Sequence, residues 1–396
     1  MALGENIIER SGTAPFFRVA NAEATGLVAP ENRKGDAVRT WVRSLSGFQK
    51  EALVVSARSG AMWRLVSDEG AYLSGYDAAP CPLAFLTTGM ISSYMNEIMA
   101  LAADRGVALR KLRIIQNNYY TMKGSMRKRT MVGGALPVEL EVEVDCDLDD
   151  AALNQLIMNG VHASPLNGLM RGVLPSYFTL TKNGVELDPA KAATFEGAVV
   201  GDPVGQAPEA RSTELTLIER LGMSPQKAVR KGTAKAASSL TDEQDRTLNP
   251  AAICTLREDG IKEIEQRLYS PRGSVFRFLS EEADVAGGMA RAPDAVSYIS
   301  AGIAFCFMTQ FGRMASMEQL DLPSYSIVQD THFSLGGASG GTGKAGEADP
   351  VETHVHLVTD EADAVAQDML DVSEQTCFLH AFCRTELKTK LKITRV

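Results

Sequence analysis

Residues 64–80, RLVSDEGAYLSGYDAAP, and residues 277–293, RFLSEEADVAGGMARAP, are one phrase written twice. A shift of 213 positions sets Arg64 on Arg277, Ser67 on Ser280, Asp68 on Glu281, Glu69 on Glu282, Gly75 on Gly288 and Pro80 on Pro293. The same shift runs on without a gap through Gly89 and Gly302, Met95 and Met308, Ile114 and Ile327, Gln116 and Gln329, and Gly124 and Gly337. It then sets Pro137-Val138-Glu139 on Pro350-Val351-Glu352, and Leu166 on Leu379. A constant offset over about 100 residues, with identities at Gly and Pro where the backbone is constrained, reads as a tandem duplication.

Outward from this phrase both copies read alike. A strand (Ala61 to Val66; Ser274 to Leu279) enters the acidic turn, and a Gly-containing loop ends at Pro80 or Pro293 before a long apolar helix. An extended segment follows (Lys111 to Tyr119; Ser324 to Phe333), then a Gly-rich loop, an alternating strand (Val138 to Val144; Val351 to Val358), a second helix and a last strand. Val138, Leu140, Val142 and Val144 share one face and the Glu residues the other, the period of a half-buried strand. This predicts one copy over 36–182, a connector over 183–248 and a second copy over 249–396. Within the connector, Ser212 to Leu221 reads as an amphipathic helix. The basic run Lys227 to Lys235 reads as a solvated linker in preference to a docking site for an acidic partner.

The 396 residues suit two domains, and 45% apolar with 22% charged residues is ordinary for a folded soluble chain. A net charge of −9 argues against a nucleic-acid partner, because phosphate binding needs a basic surface. Met1 to Arg10 carries Glu5 and Glu9 and does not read as a secretory signal. The apolar stretch Leu83 to Ala103 is broken by Asn96 and Glu97, which suits a buried helix better than a membrane span. The expectation is a cytoplasmic protein with no membrane partner. Six cysteines without a CxxC do not form a disulfide framework.

The chemistry is expected at two of those cysteines. Cys306 lies in the second long helix and Cys377 near the start of another, while the first copy carries Ser93 and Ser164 at the matching places. Joint replacement is what paired use of two thiols produces; the alternative is a pair of small buried hydrophobes. His354 and His356 share a strand face, but Glu141 and Glu143 match them, so they read as the polar outer face and not as metal ligands. Gly336 to Gly346 lacks the P-loop pattern and reads as a flexible hairpin loop matching Met122 to Ala135. His380, three residues after Cys377, reads as a packing or capping residue before a base, and Ser93, Ser164 and His162 as inert before hydrolytic. No cofactor or metal is expected.

The run Ser280-Glu281-Glu282, Gly287-Gly288, Pro293 and a small-residue helix ending Gly302-Ile303-Ala304-Phe305-Cys306, with Thr376-Cys377-Phe378 later, resembles the OsmC/Ohr family of organic-hydroperoxide reductases. The resemblance spans about 38–180 and 251–396. It implies an α+β fold: two OsmC-like domains, each a curved antiparallel sheet wrapped around two central helices. Members form intertwined homodimers with active sites at the interface, so this chain is expected to be its own pseudo-dimer, with further self-association possible. It further implies Cys306 as the peroxidatic thiol, Cys377 as the resolving thiol and Arg272, in the turn Ser270-Pro271-Arg272-Gly273, as the cation that ionises Cys306, with Arg277 next. Asp294 follows Pro293 where the family has Glu, and Phe378 follows Cys377 where it has Pro. The implied activity is reduction of a small-molecule hydroperoxide or related electrophile, recycled by a dithiol reductant. The alternatives are a cysteine-nucleophile hydrolase or isomerase acting on a reactive carbonyl compound, and a small-molecule binding protein without turnover.

Overall fold

The computed structural model describes residues 4–212, 215–227, 238–283 and 289–396. The chain opens with α1 (Ile7–Arg10) and β1 (Phe17–Arg18), then runs through β2 (Gly35–Ser46), β3 (Gln49–Ser56) and β4 (Met62–Ser67) into the long helix α2 (Pro82–Asp104). After it come β5 (Lys111–Ser125), β6 (Val132–Asp145), α3 (Asp150–Ala163), α4 (Asn167–Arg171) and β7 (Ser176–Lys182). Two short strands follow, β8 (Val185–Leu187) and β9 (Ile218–Met223). The order then recurs as β10 (Glu243–Leu256), β11 (Lys262–Ser270), β12 (Ser274–Ser280), α5 (Ala295–Glu318), β13 (Ser324–Ser334), β14 (Val351–Val358), α6 (Asp363–Thr376), α7 (Phe378–Cys383) and β15 (Thr389–Arg395). The starts of β3 and β11, α2 and α5, β5 and β13, α3 and α6, and β7 and β15 are each 213 residues apart.

These elements build a mixed α+β molecule with two sheets and, among the described residues, seven α-helices. Neither sheet belongs to one half. One has the order β1-β4-β3-β2-β13-β14-β7-β8 and the other β15-β6-β5-β10-β11-β12-β9. The halves are sewn together where β2 pairs antiparallel with β13, Gly35 opposite Ser334, and where β5 pairs antiparallel with β10, Ser125 opposite Glu243. Each sheet also contains a parallel pair across the halves, β7 with β14 and β6 with β15. The expected pattern of one antiparallel sheet per copy is therefore corrected: the strands of 36–182 and 249–396 are interleaved.

The two long helices form the spine. Residues 82–95 of α2 and 295–315 of α5 are buried without interruption. They cross at glycine: a Cβ on Gly89 would lie 2.6 Å from the Ala295 carbonyl oxygen, and one on Gly302 would lie 2.6 Å from the Leu86 nitrogen. Backbone-to-backbone contact at both points explains why this residue pair is identical across the repeat. Phe85 of α2 fills the space beside the crossing, its ring 5.1 Å from Phe305 and 5.5 Å from Phe278. Helix α5 is long and apolar enough to cross a membrane, but the apolar window that qualifies is wholly buried inside the molecule.

The connector differs from its sequence reading. The predicted helix Ser212–Leu221 is overturned by β9, which pairs antiparallel with β12 at the edge of its sheet; residues 213–214 lie outside the described residues. An edge of unpaired N–H and C=O groups is satisfied by a strand and not by a helix. Of the basic run, Lys227 donates to Asn117 Oδ1 at 2.9 Å and stands over the Tyr269 ring, and 228–237 lie outside the described residues. Nor does the connector reach residue 248, since β10 begins at Glu243.

Strand β6 alternates in burial as its pattern predicts, but β14 does not. His354 is buried and bonds Thr179 Oγ1 through Nδ1 at 2.9 Å, and His356 Nε2 meets the Val200 carbonyl at 3.0 Å. The expected polar outer face is covered by β7 and by the chain near residues 195–200, where the Phe195 ring packs edge-on against His354. The loop Gly336–Gly346 also departs from a plain hairpin tip: β13 stops at Ser334, and the loop folds over Glu97, which accepts from Ala338 N and Ser339 N at 2.9 and 3.0 Å.

Candidate functional site

Cys306 lies in the buried run of α5, 2% exposed. Cys377 separates α6 from α7: its extended backbone (φ −71°, ψ 121°) ends one helix and caps the next, with Sγ accepting from His380 N at 3.5 Å. Strand β6 of the first half presses on this junction, where a Cβ on Gly133 would come within 2.6 Å of the Thr376 carbonyl oxygen. The fold thereby brings the two predicted cysteines together, with both thiols free and Cys306 in hydrogen-bonding contact with Cys377. Burial, and then the neighbouring Cys377 thiol, push the Cys306 thiol well above its ordinary value, while the Leu379 N–H pulls the other way.

Arg272 is not beside them. It is exposed in the turn between β11 and β12, and its Nε donates to the Ser224 carbonyl at 2.7 Å. Arg277 and its counterpart Arg64 serve the sheets: Arg277 pairs with Glu219 at 2.8 Å, and Arg64 with Glu51 at 2.7 Å. His380 is packed near the rings of Phe307 and Phe178, at 4.7 and 5.5 Å, with neither ring nitrogen hydrogen bonded. Burial and then Arg384 lower it to about 3, so it is a neutral packing group.

A narrow cavity of about 30 Å³ opens beside Cys306. Its walls come from both halves, with Tyr72 and Cys81 on one side and Leu268, Phe378, Arg246 and Arg313 on the other. Cys81 caps α2, just before Pro82, and burial first, then Glu69, raise its thiol to about 12. Glu69, also on the wall, accepts from Tyr72 OH at 2.7 Å and from Thr309 Oγ1 at 3.0 Å. Behind Thr309 is the fully buried Lys50, which donates to Thr309 Oγ1 at 2.9 Å and to the Phe48 carbonyl at 2.6 Å.

The matching place in the first half has the opposite character. Ser93 Oγ and Ser164 Oγ are hydrogen bonded at 2.7 Å, and His162 instead meets Arg171 at 3.0 Å. Cys81, Glu69 and Gln310 are matched 213 residues away by Asp294, Glu282 and Glu97. Burial, then Asp294, raise Asp36 to about 8; burial, then Glu282, raise Asp294 to about 6.

Asp330, His332 and Glu352 cluster within 4.8 Å of one another. Arg39 holds both oxygens of Asp330 at 2.7 Å and Arg33 holds Glu352 at 2.5 Å, so these carboxylates already have their cations.

Residues 287–392 match a family model described as OsmC-like protein, and that stretch contains Cys306 and Cys377. This segment is an OsmC-like domain. The OsmC family is associated with peroxide-related stress proteins. No curated protein and no solved structure matches the chain. The motif residues Gly287 and Gly288 open the OsmC-like segment but lie outside the described residues.

Sequence reasoning missed the cationic wall. Arg313 was visible as a charge interrupting an apolar helix; Arg246 was hidden in residues read as connector.

Proposed function

We propose that the chain reduces an organic hydroperoxide or related electrophile through the Cys306 and Cys377 thiols, and that it arose by tandem duplication with the first half kept as a structural partner. The observation that carries this reading is the contact between two reduced cysteines inside the OsmC-like segment, next to a cavity shared by both halves. Cys306, as thiolate, attacks the distal peroxide oxygen: the S–O bond forms, the O–O bond breaks, and the departing alkoxide takes a proton to become the alcohol. Cys377 Sγ then attacks the sulfenic sulfur, water leaves, and a Cys306–Cys377 disulfide remains for a dithiol reductant to reopen by exchange. A cytoplasmic setting supplies such reductants.

Cys306 is buried and its thiol is held protonated, and about 30 Å³ is far short of the roughly 150 Å³ that admits benzene. Substrate entry therefore requires the wall formed by Phe378, Leu268 and Tyr72 to open. The test is oxidation of the reduced protein by cumene hydroperoxide, followed by intact mass and peptide mapping. Wild type is expected to lose two hydrogens, and Cys377→Ser to stall with one added oxygen on Cys306. Activity on a carbonyl compound that needs Cys306 and tolerates Cys377→Ser would move the reading to a hydrolase or isomerase. Thiols no faster than free cysteine would end it.

A further inference from the structure

Arg313 is 1% exposed, and its contacts are neutral. Nε donates to the Ser239 carbonyl at 2.9 Å and Nη1 to Gln310 Oε1 at 3.4 Å, while Nη2 lies 2.9 Å from Met131 Sδ and Nη1 3.8 Å from Met122 Sδ. Arg246, 7% exposed, donates from Nη1 to Ser239 Oγ, and its Nε has no partner. Both guanidinium side chains line the cavity beside Cys306, and among the described residues neither forms an ion pair with a carboxylate. They also repel one another: burial, then Arg246, lower Arg313 to about 9.

The nearby carboxylates do not cancel this charge. Both Glu69 oxygens are already engaged, by Tyr72 and Thr309, and Lys50 stands behind Thr309. Asp68, whose carboxylate accepts from Gln49 and from backbone N–H groups, is the other buried acid acting on Lys50. Three cations, Lys50, Arg246 and Arg313, therefore stand against two carboxylates, Asp68 and Glu69, leaving one positive charge uncompensated in a region closed to water. Buried charge without a partner is costly, and an unpartnered N–H on a cavity wall marks where the partner goes.

We propose that the cavity walled by Arg246 and Arg313 is a subsite for a singly charged carboxylate, the head group of the molecule whose electrophilic atom reaches Cys306. About 30 Å³ suits a carboxylate and excludes an aromatic ring. The planar fork of a guanidinium matches a carboxylate better than a lysine would. The reacting atom is taken from the thiol reading above; the anion site is not. A free small carboxylate shares this chemistry, and the experiment separates it from a substrate head group.

Iodoacetate and iodoacetamide deliver the same carbon to a thiol and differ in the carboxylate. In each reaction the Cys306 S–C bond forms, the C–I bond breaks, iodide leaves and the thiol proton passes to water. The rate ratio at Cys306 is read by peptide mass in the full chain and normalised to the same cysteine in denaturant. It is expected to favour iodoacetate by about tenfold, and to fall to about one in Arg313→Met and in Arg246→Met. In parallel, sodium formate is expected to raise the Tm of wild type by more than sodium chloride at equal ionic strength, and not that of either variant. Equal ratios in wild type and both variants, with no formate effect, overturn the proposal. A formate effect without the alkylation preference overturns the head-group assignment and leaves a free anion. If Cys306 reacts with neither reagent, the thiol reading fails while formate still decides the anion site.

Discussion

Ser93 Oγ and Ser164 Oγ are 2.7 Å apart in the sealed interior of the first half, 213 residues before two cysteines whose thiols are likewise in contact. A hydroxyl pair and a thiol pair thus occupy matching positions with matching geometry, and differ in what surrounds them. Cations line the cavity at the thiol pair, and acids stand at the matching positions near the hydroxyl pair.

This relationship is testable by transplanting the thiols. Ser93→Cys with Ser164→Cys, in a chain with Cys306→Ser and Cys377→Ser, is expected to form a disulfide with diamide. Cumene hydroperoxide is expected to oxidise it at least about tenfold more slowly than it oxidises the native pair, since neighbouring carboxylates hold a thiol protonated. Peptide mapping reads both outcomes, and equal peroxide rates at the two places would contradict the electrostatic account.

The crossing of α2 and α5 leaves no room for a methyl group. Gly89→Ala and Gly302→Ala each drive a Cβ onto backbone atoms of the facing helix. Each is expected to destabilise by about 1–3 kcal/mol despite alanine's better helix propensity. Urea unfolding measures this; a gain in stability at either position would mean that the helices do not touch there.

Asp36 makes stability depend on pH. Its folded value is raised to about 8, mainly by burial, so the folded chain holds the proton more tightly than the unfolded chain. Its stabilising contribution is present below the ordinary carboxylate range and is lost as pH climbs to about 8, at no more than about 1.4 kcal/mol per pH unit. Asp36→Asn is expected to flatten the urea-midpoint profile between pH 4 and 8 relative to wild type, with the two converging at the acid end.

Lys50 and Glu69 are linked through Thr309 in the interior. Lys50→Met leaves the carboxylate buried opposite no amine and is expected to cost about 3 kcal/mol. Adding Glu69→Gln is expected to recover most of that loss. A double variant no more stable than Lys50→Met alone would show that the two groups do not interact.

Much of this was legible in the sequence, for identifiable reasons. Gly89 and Gly302 stand out because a backbone contact admits no side chain, and such constraints survive divergence. Cys306 and Cys377 stand out because both are replaced by serine together. Arg246 escaped because Pro250, four residues on, looks like a strand breaker; it sits where the pairing of β10 with β11 shifts register, a place where proline is tolerated. The run before β9 shows helical spacing, and only its distant partner β12 makes it a strand. Sheet membership escaped for the same reason, since no local pattern says that β2 will lie beside β13.

The sheets drawn from both halves have one more consequence. In a symmetric pair of identical chains, every substitution is made twice, so a residue that helps one site and harms its twin is filtered by the worse of the two. Here the halves are interleaved as tightly as two subunits, yet each position exists once. Cysteine and arginine accumulate on one side, serine and carboxylates on the other, and the inert side still supplies the strands that hold the working one in shape. The covalent link thus makes asymmetry heritable.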